Sequence, residues 1–341
     1  MQKIIMMNNM IKDTRYNEVF LYFQEEGHKY EDSLGNHYLS VTTFLHNYAP
    51  KFDEKFWARK KAKEQGVSEK EIRKQWEAIK NEACSRGTAT HNGIEDAIKD
   101  VSMFNAAIKY LKQIDNGRVV TVADIPNLNI KPLDINLFKE ATENKYPKIY
   151  EVFDFYIERG YTIYSEIGAF LIDYLISGTI DILCIKEDRF VILDWKTNRD
   201  GLKFEAGYYK KDKTVVPNQL TNEWVRKTND VLLSPLGHMP NCNGSIYNMQ
   251  LSMYAYMVES ILGIPNVGIA LCHIASPFIL NSYGQPKRFV DGYHVDENGT
   301  ETVTWYPLKY KKEECAKCLK DRAKFLAAER IANNSNQLTL F

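Results

Sequence analysis

Apolar and polar positions alternate along this chain with two different periods, and each period predicts a different kind of element. From Phe20 to Thr43 the pattern is that of a small hairpin, with His28-Lys-Tyr30 before a break at Asp32-Ser-Leu-Gly-Asn36 and His37-Tyr-Leu-Ser-Val41 after it. From Lys51 to Ile98 the spacing is helical and points Trp57, Ile72, Trp76 and Ile79 inward. Gly66-Val-Ser68 breaks that run, with Ser68 placed to cap the helix that follows. Met103 to Ile114 and Ile149 to Glu158 read as helices, and the proline-containing stretch from Val122 to Phe138 as an irregular connection. Strands are predicted from Tyr161 to Ile172, Gly178 to Ile185 and Phe190 to Lys196, the last two apolar on both faces as buried strands are. Asn198 to Asn248 is long, polar and rich in Lys, Asn, Pro and Gly, the pattern of a lid or of disorder. Met249 to Leu262 reads as an amphipathic helix, Val267 to Ile274 and Phe289 to Val295 as strands, and Lys312 to Asn334 as a closing helix.

The order helices, sheet, helix, strands, helix predicts one α/β domain with an N-terminal helical elaboration. Residues 1–160 form the hairpin and helical region of that domain, 161–331 its core with a long insertion at 198–248, and 332–341 a flexible tail. Lysine plus arginine and aspartate plus glutamate both number 44, so net charge gives no pull toward a polyanion and any basic surface is local. Basic runs occur at Arg59-Lys60-Lys61 with Lys63, at Lys210-Lys211 with Lys213, and at Lys309 with Lys311-Lys312. No apolar run reaches the roughly 18 residues of a membrane span, and the N-terminal apolar run is too short for a signal peptide. The six scattered cysteines fit a reducing, cytoplasmic setting.

Candidate chemistry centres on Ser177-Gly-Thr-Ile-Asp181 and Asp194-Trp-Lys196-Thr197. Asp181 and Asp194 lie equally far from the polar break Lys186-Glu187-Asp188-Arg189, so a hairpin centred there opposes the two carboxylates with Cβ atoms about 5 Å apart. Like charges so placed within apolar strands are costly unless a cation neutralises them, and Mg²⁺ takes such oxygen ligands. Lys196, two residues beyond Asp194, projects from the same face, while Trp195 points the other way. An ordinary amphipathic hairpin accounts for the turn but not for the opposed acids. His91 and Glu95 fall at i and i+4 on one helix face, after Gly87-Thr88, which reads as a helix start. Gln250 and Tyr254 share a helix face in the same way. Either pair alone is also what a plain helix surface presents.

Taken in order, Gly87-Thr88, His91, Glu95, Glu166, Gly178-Thr-Ile-Asp181, Asp194-Trp-Lys196-Thr197 and Gln250 with Tyr254 resemble the PD-(D/E)XK nuclease superfamily, in its RecB-like exonuclease branch. The resemblance spans about residues 28 to 262. Tyr30-Glu-Asp and Tyr38-Leu-Ser-Val41-Thr42 are similar to the lead-in of phage and mitochondrial genome-maintenance exonucleases. It implies a restriction-endonuclease-like core, with a central mixed β-sheet flanked by helices, and one or two Mg²⁺ or Mn²⁺ ions. Their ligands would be His91, Asp181, Asp194 and the Trp195 backbone carbonyl. Lys196 would be the catalytic lysine, Glu166 a further active-site acid, and Gln250 with Tyr254 contacts to the nucleotide chain. Some relatives hold an iron–sulfur cluster on four cysteines. Here only Cys315 and Cys318 stand in the corresponding region, so no such cluster is expected.

The implied activity is Mg²⁺-dependent exonucleolytic hydrolysis of single-stranded DNA or DNA ends, in replication, recombination or repair, in a bacterial or phage-infected cytoplasm. The rivals are a structure-specific endonuclease of the same fold and a non-catalytic DNA-end or sliding-clamp accessory. After the polar tether Ala332-Asn-Asn-Ser-Asn336, the chain closes with Gln337-Leu338-Thr-Leu340-Phe341, which is similar to the pentapeptide that docks bacterial replication proteins on the sliding clamp. In that reading Leu338, Leu340 and Phe341 fill apolar pockets and Gln337 bonds at the rim.

Overall fold

Two apolar runs joined by the polar pair Glu187-Asp188 fold back on each other as β5 (Ile176–Lys186) and β6 (Arg189–Lys196), and this hairpin is the centre of the molecule. The computed structural model describes residues 11–101, 117–128 and 133–338. Around the hairpin they build an eight-stranded mixed sheet among the described residues. The strands β1 (Leu21–Gln24), β2 (Lys29–Asp32) and β3 (His37–Ser40) form an antiparallel meander, and β3 runs parallel to the start of β5. On the other edge of β5 lies β4 (Thr162–Leu171), antiparallel to it. Beyond β6 come β9 (Asn266–Ala275), parallel, and β10 (Thr302–Leu308), antiparallel, at the edge.

The predicted N-terminal hairpin is therefore a three-stranded meander. Val41 is not in a strand: Ser40 Oγ accepts from the Thr43 backbone N–H and caps the short helix α1 (Val41–His46). Helices α2 (Glu54–Gln65) and α3 (Glu69–Val101) meet at the predicted break, with Gly66 left-handed at φ 67° and Ser68 Oγ accepting from Glu71 N. Beyond it α3 runs without interruption, so Gly87 and Thr88 lie mid-helix and do not start one. The stretch read as irregular holds a 3₁₀ turn at Val122–Asn127 and then α4 (Ile135–Ala141), capped by Asp134. Next comes α5 (Pro147–Glu158), with proline in its first turn, where no N–H is needed. The helix predicted from Met103 to Ile114 lies outside the described residues.

The sheet separates two cores. On one side the meander, α1 and α6 (Asn243–Leu262) pack around Phe170, Phe190, Ile180 and Ile192, together with α7 (Lys312–Leu338). On the other, α3, α4 and α5 enclose Phe138, Phe153 and Trp195. Each of the fully buried phenylalanines contributes about 2–3 kcal/mol by leaving water. Helix α6 is apolar nearly all round because it also serves as the crossover that lets β6 and β9 run parallel, and it is buried on most sides rather than amphipathic.

The insertion at 198–248 is ordered around a two-stranded ribbon, β7 (Gly207–Asp212) with β8 (Gln219–Arg226). The strand predicted at Phe289 to Val295 makes isolated bridges only, and the edge strand is β10. Its alternation of Val303 and Trp305 is strand-like, and Pro307 is tolerated because an edge strand has one side without ladder bonds. Helix α7 continues through the expected tether to Leu338, and residues 339–341 lie outside the described residues. Among the described residues no helix is long and apolar enough to cross a membrane.

Candidate functional site

The candidate site forms where the sheet forks. One edge of β5 is shared, with β3 pairing at Ile176 and Ser177 and β6 pairing from Ile182 onward. Residues 178–181 lie between the two partners with no ladder to either, so the strands splay and open a crotch. The β5–β6 register is the one the sequence symmetry demands, Ile182 opposite Leu193 and Lys186 opposite Arg189. The ladder stops one pair short of Asp181 and Asp194. Instead, Asp181 Oδ2 accepts from the Trp195 backbone N–H at 3.0 Å.

Asp194 is almost fully buried. Its Oδ2 accepts from the Lys196 ammonium, which also donates to the Trp195 carbonyl at 3.1 Å. Asp194 Oδ1 has no hydrogen-bond partner among the described residues. A buried carboxylate oxygen left so is expensive in a finished core and is what a cation ligand looks like before the cation binds. Trp195 points to the opposite core, as alternation predicts, with ring centroids 6.2 Å from Phe153 and 5.9 Å from Trp305.

Helix α3 brings His91 to the same crotch. Its Nε2 lies 3.2 Å from the Trp195 carbonyl, and its Nδ1 lies 3.8 Å from both Glu95 Oε1 and Asp181 Oδ2. The helix comes this close because Gly87, one turn before His91, has no side chain: a Cβ there would sit 2.9 Å from Thr197 Oγ1. Glu166 falls opposite Asp181 across β4 and β5, between the pairs Ser165–Ile182 and Ile167–Ile180. It holds a left-handed φ of 54°, a strained conformation for glutamate. That residue switches the facing of β4, since Tyr164 and Ile167, three apart, belong to one core. From α6, Gln250 Nε2 donates to Tyr254 Oη at 3.3 Å, and the Tyr254 ring lies over Gly178 so tightly that a Cβ there would be 2.8 Å from Cε1.

Burial, reinforced by Asp194, pushes the Asp181 carboxyl up to about 7, against the opposing pull of Lys196, His91 and the Trp195 N–H. Burial alone would lower the His91 pKa, but Glu95 and Asp181 outweigh it and hold it raised. Lys196 behaves alike, burial opposing and the two aspartates winning, so it stays a cation. Burial raises the Tyr254 phenol, which keeps it a neutral donor. Among the described residues no three His, Cys, Asp or Glu side chains close a ready metal cage. The converging donors are two carboxylates, one imidazole and a backbone carbonyl, and the Lys196 ammonium engages two of the oxygens itself. Hard oxygen donors with one nitrogen, and one carboxylate oxygen without a partner, fit Mg²⁺ or Mn²⁺.

The site opens into a cleft of about 690 Å³. His91, Lys196 and Thr197 line its floor, and Lys80, Arg86 and Arg199 line its walls with Trp76, Tyr247 and Tyr293, the two arginines paired with Glu82 and Asp200 of the same lining. Lys196 Nζ lies 4.9 Å from the Tyr247 ring centre, and the Arg199 guanidinium stacks 3.8 Å from that of Tyr293. Of these wall residues the sequence motifs had singled out only Trp76. Tyr247 was within reach, because Tyr247, Gln250 and Tyr254 form one stripe at i, i+3 and i+7 of α6. Tyr293 carries no local signal. Trp57, expected inward, is exposed, whereas Ile72 is buried with Ala58 and Ala62, and Trp76 packs partly against them. Cys315 and Cys318 are buried in the first core, where burial raises both thiols. No family model, curated protein or solved structure matches this chain.

Proposed function

We propose that the chain is a divalent-metal-dependent deoxyribonuclease with a restriction-endonuclease-like core, acting as an exonuclease on single-stranded DNA or DNA ends. The observation that carries this reading is the fork itself. Asp181, Asp194, Lys196, His91 and the Trp195 carbonyl converge there on one spot, with Asp194 Oδ1 buried and unpartnered among the described residues. Burying a carboxylate oxygen without a partner costs free energy that a bound cation would offset.

His91 Nε2, Asp181, Asp194 and the Trp195 carbonyl are the groups that would hold Mg²⁺ or Mn²⁺. Bound there, the ion supplies Lewis-acid polarisation of the phosphate and a water of lowered pKa. Lys196, charged and directed at the cleft floor, orients the attacking water and offsets negative charge building on the phosphate. Water attacks the phosphorus in line, the bond to the 3′-oxygen breaks, and the product strand keeps a 5′-phosphate. Glu95 orients the His91 ring through Nδ1. Gln250 and Tyr254 offer neutral donors beside the aspartates, suited to phosphate oxygens as the strand advances. The aromatic rings of the cleft, with Lys80 and Lys196 beside the ion-paired Arg86 and Arg199, suit a strand with its bases exposed. The terminal peptide Gln337–Phe341 is proposed to dock on a bacterial sliding clamp, which would concentrate the enzyme at replicating DNA.

Asp181→Ala, Asp194→Ala and Lys196→Ala should each lower Mg²⁺-dependent degradation of a linear oligonucleotide by about 10²-fold or more, with the circular dichroism spectrum unchanged. Full activity in all three would remove the site from the chemistry. Circular single-stranded DNA should survive. Its cleavage would turn the reading to an endonuclease.

A further inference from the structure

Phe52, Phe56 and Trp57 are 64%, 54% and 38% exposed, three large aromatics on the segment that opens α2, with Phe56 edge-on to Trp57. The helix does not need them for its own packing, because Ala58 and Ala62 hold it to α3 through Ile72. Burying such rings would stabilise the fold, so their exposure calls for a ligand. Cations lie among them: between positions 51 and 63 the chain carries six basic residues and two acidic ones. Lys60 Nζ sits 4.9 Å over the Trp57 ring, and Arg59 and Lys61 are paired with Glu69 and Glu64. Lys51, Lys55 and Lys63 make no ion pair with any described residue.

The patch also leads somewhere. Phe52 lies edge-on to Trp76, with centroids 5.9 Å apart. Trp76 lines the cleft that has His91 and Lys196 at its floor. Phe52 thus links the segment that opens α2 to the cleft wall at Trp76, and Phe56 and Trp57, edge-on to each other, follow it on the same segment. A protein partner favours an apolar centre from which charge is withdrawn to the rim. Rings with ammonium groups set between them match a strand whose bases stack while its phosphates are neutralised. We infer that residues 51–63, with Trp76, form a platform on which the bases of single-stranded nucleic acid stack as the strand is led into the cleft. The cleft as destination rests on the nuclease reading; the stacking itself does not.

The test separates the two. In EDTA, so that nothing is cut, the full chain is titrated against a fluorescein-labelled oligodeoxythymidine of about thirty nucleotides, long enough to cover platform and cleft. Phe52→Ala, Phe56→Ala and Trp57→Ala should each weaken binding by about fivefold or more, with the salt dependence unchanged because no phosphate contact is lost. Lys55→Ala and Lys60→Ala should instead flatten the salt dependence. Phe52→Leu and Phe56→Leu keep apolar bulk without a ring, and should weaken binding as the alanines do while melting at the wild-type temperature. Ring variants that bind within twofold of wild type would overturn the platform, as would a preference for phosphatidylserine vesicles over the oligonucleotide. If the wild type cuts no DNA with Mg²⁺, the nuclease reading fails, and the titration in EDTA still decides the platform.

Discussion

Asp194 gives one oxygen to a lysine and leaves the other without a hydrogen-bond partner among the described residues, and Asp181 answers across the fork by taking the Trp195 N–H. The pair of acids was legible from their equal distance to a polar turn, because antiparallel pairing is a symmetry that residue numbers express directly. Its detail was not legible. The ladder ends before the pair is reached, since β3 and β6 compete for one edge of β5 and force the strands apart. A pH dependence follows at this scale. Without metal the folded chain keeps Asp181 protonated up to about pH 7, whereas the unfolded chain releases that proton near its ordinary value of 3.8. Across that window the folded state binds more protons, so stability falls as pH rises. His91 acts in the same direction, because its raised proton affinity stabilises the fold at low pH and is lost as pH climbs above the folded value. In EDTA the melting temperature should be lower at about pH 8 than at about pH 5.5, by more than in Asp181→Asn. Mg²⁺ at the higher pH should restore it. A wild-type slope no steeper than that of Asp181→Asn would count against the assignment.

At the scale of elements, α3 contributes to the site by being longer than its sequence implied. Gly87-Thr88 looks like a boundary because glycine is a poor helix former and threonine a good cap. In the fold the glycine is mid-helix and serves close approach to Thr197, which lets His91 reach the crotch one turn later. Two opposed effects meet at this position. Alanine would favour the helix by about 1 kcal/mol over glycine, and its Cβ would press on a hydroxyl at 2.9 Å. Gly87→Ala should therefore leave the unfolding midpoint nearly unchanged while lowering Mg²⁺-dependent cleavage by about tenfold or more, since a small misplacement of a ligand is costly. Adding Thr197→Ala removes the obstructing hydroxyl and should restore the rate. A Gly87→Ala enzyme of full activity would show that the close approach does not matter. The ribbon β7–β8 and the edge strand β10 were misjudged for a related reason. Short strands gain their stability from what they lie against, so their own residues announce them weakly. Helix α6 was misjudged in character, because an element buried on most sides has no polar face to reveal which side is inward.

Across the whole molecule, a chain of zero net charge gathers lysine, arginine and aromatic rings around one cleft, drawing on α3, the turn after β6, α6 and the segment that carries Tyr293. The proposed clamp peptide belongs to this scale, because docking would tie the chain to a larger assembly. Helix α7 carries the chain as far as Leu338. Removing the last five residues should abolish capture by an immobilised bacterial sliding clamp and leave degradation of a short oligonucleotide at the wild-type rate. Undiminished capture would refute docking. By itself the sequence determined the elements with strong periodicity, the register of the central hairpin, and which acids and lysine are chemically anomalous, because these follow from local spacing and from the cost of charge in apolar strands. Only the tertiary structure decided that the sheet forks at residues 178–181, that Glu166 takes a left-handed backbone conformation within β4 opposite Asp181, and that Tyr293 shares a cleft with His91. Those facts depend on competition between strands for one edge and on packing across some two hundred residues of chain, and no local pattern of side chains carries that information.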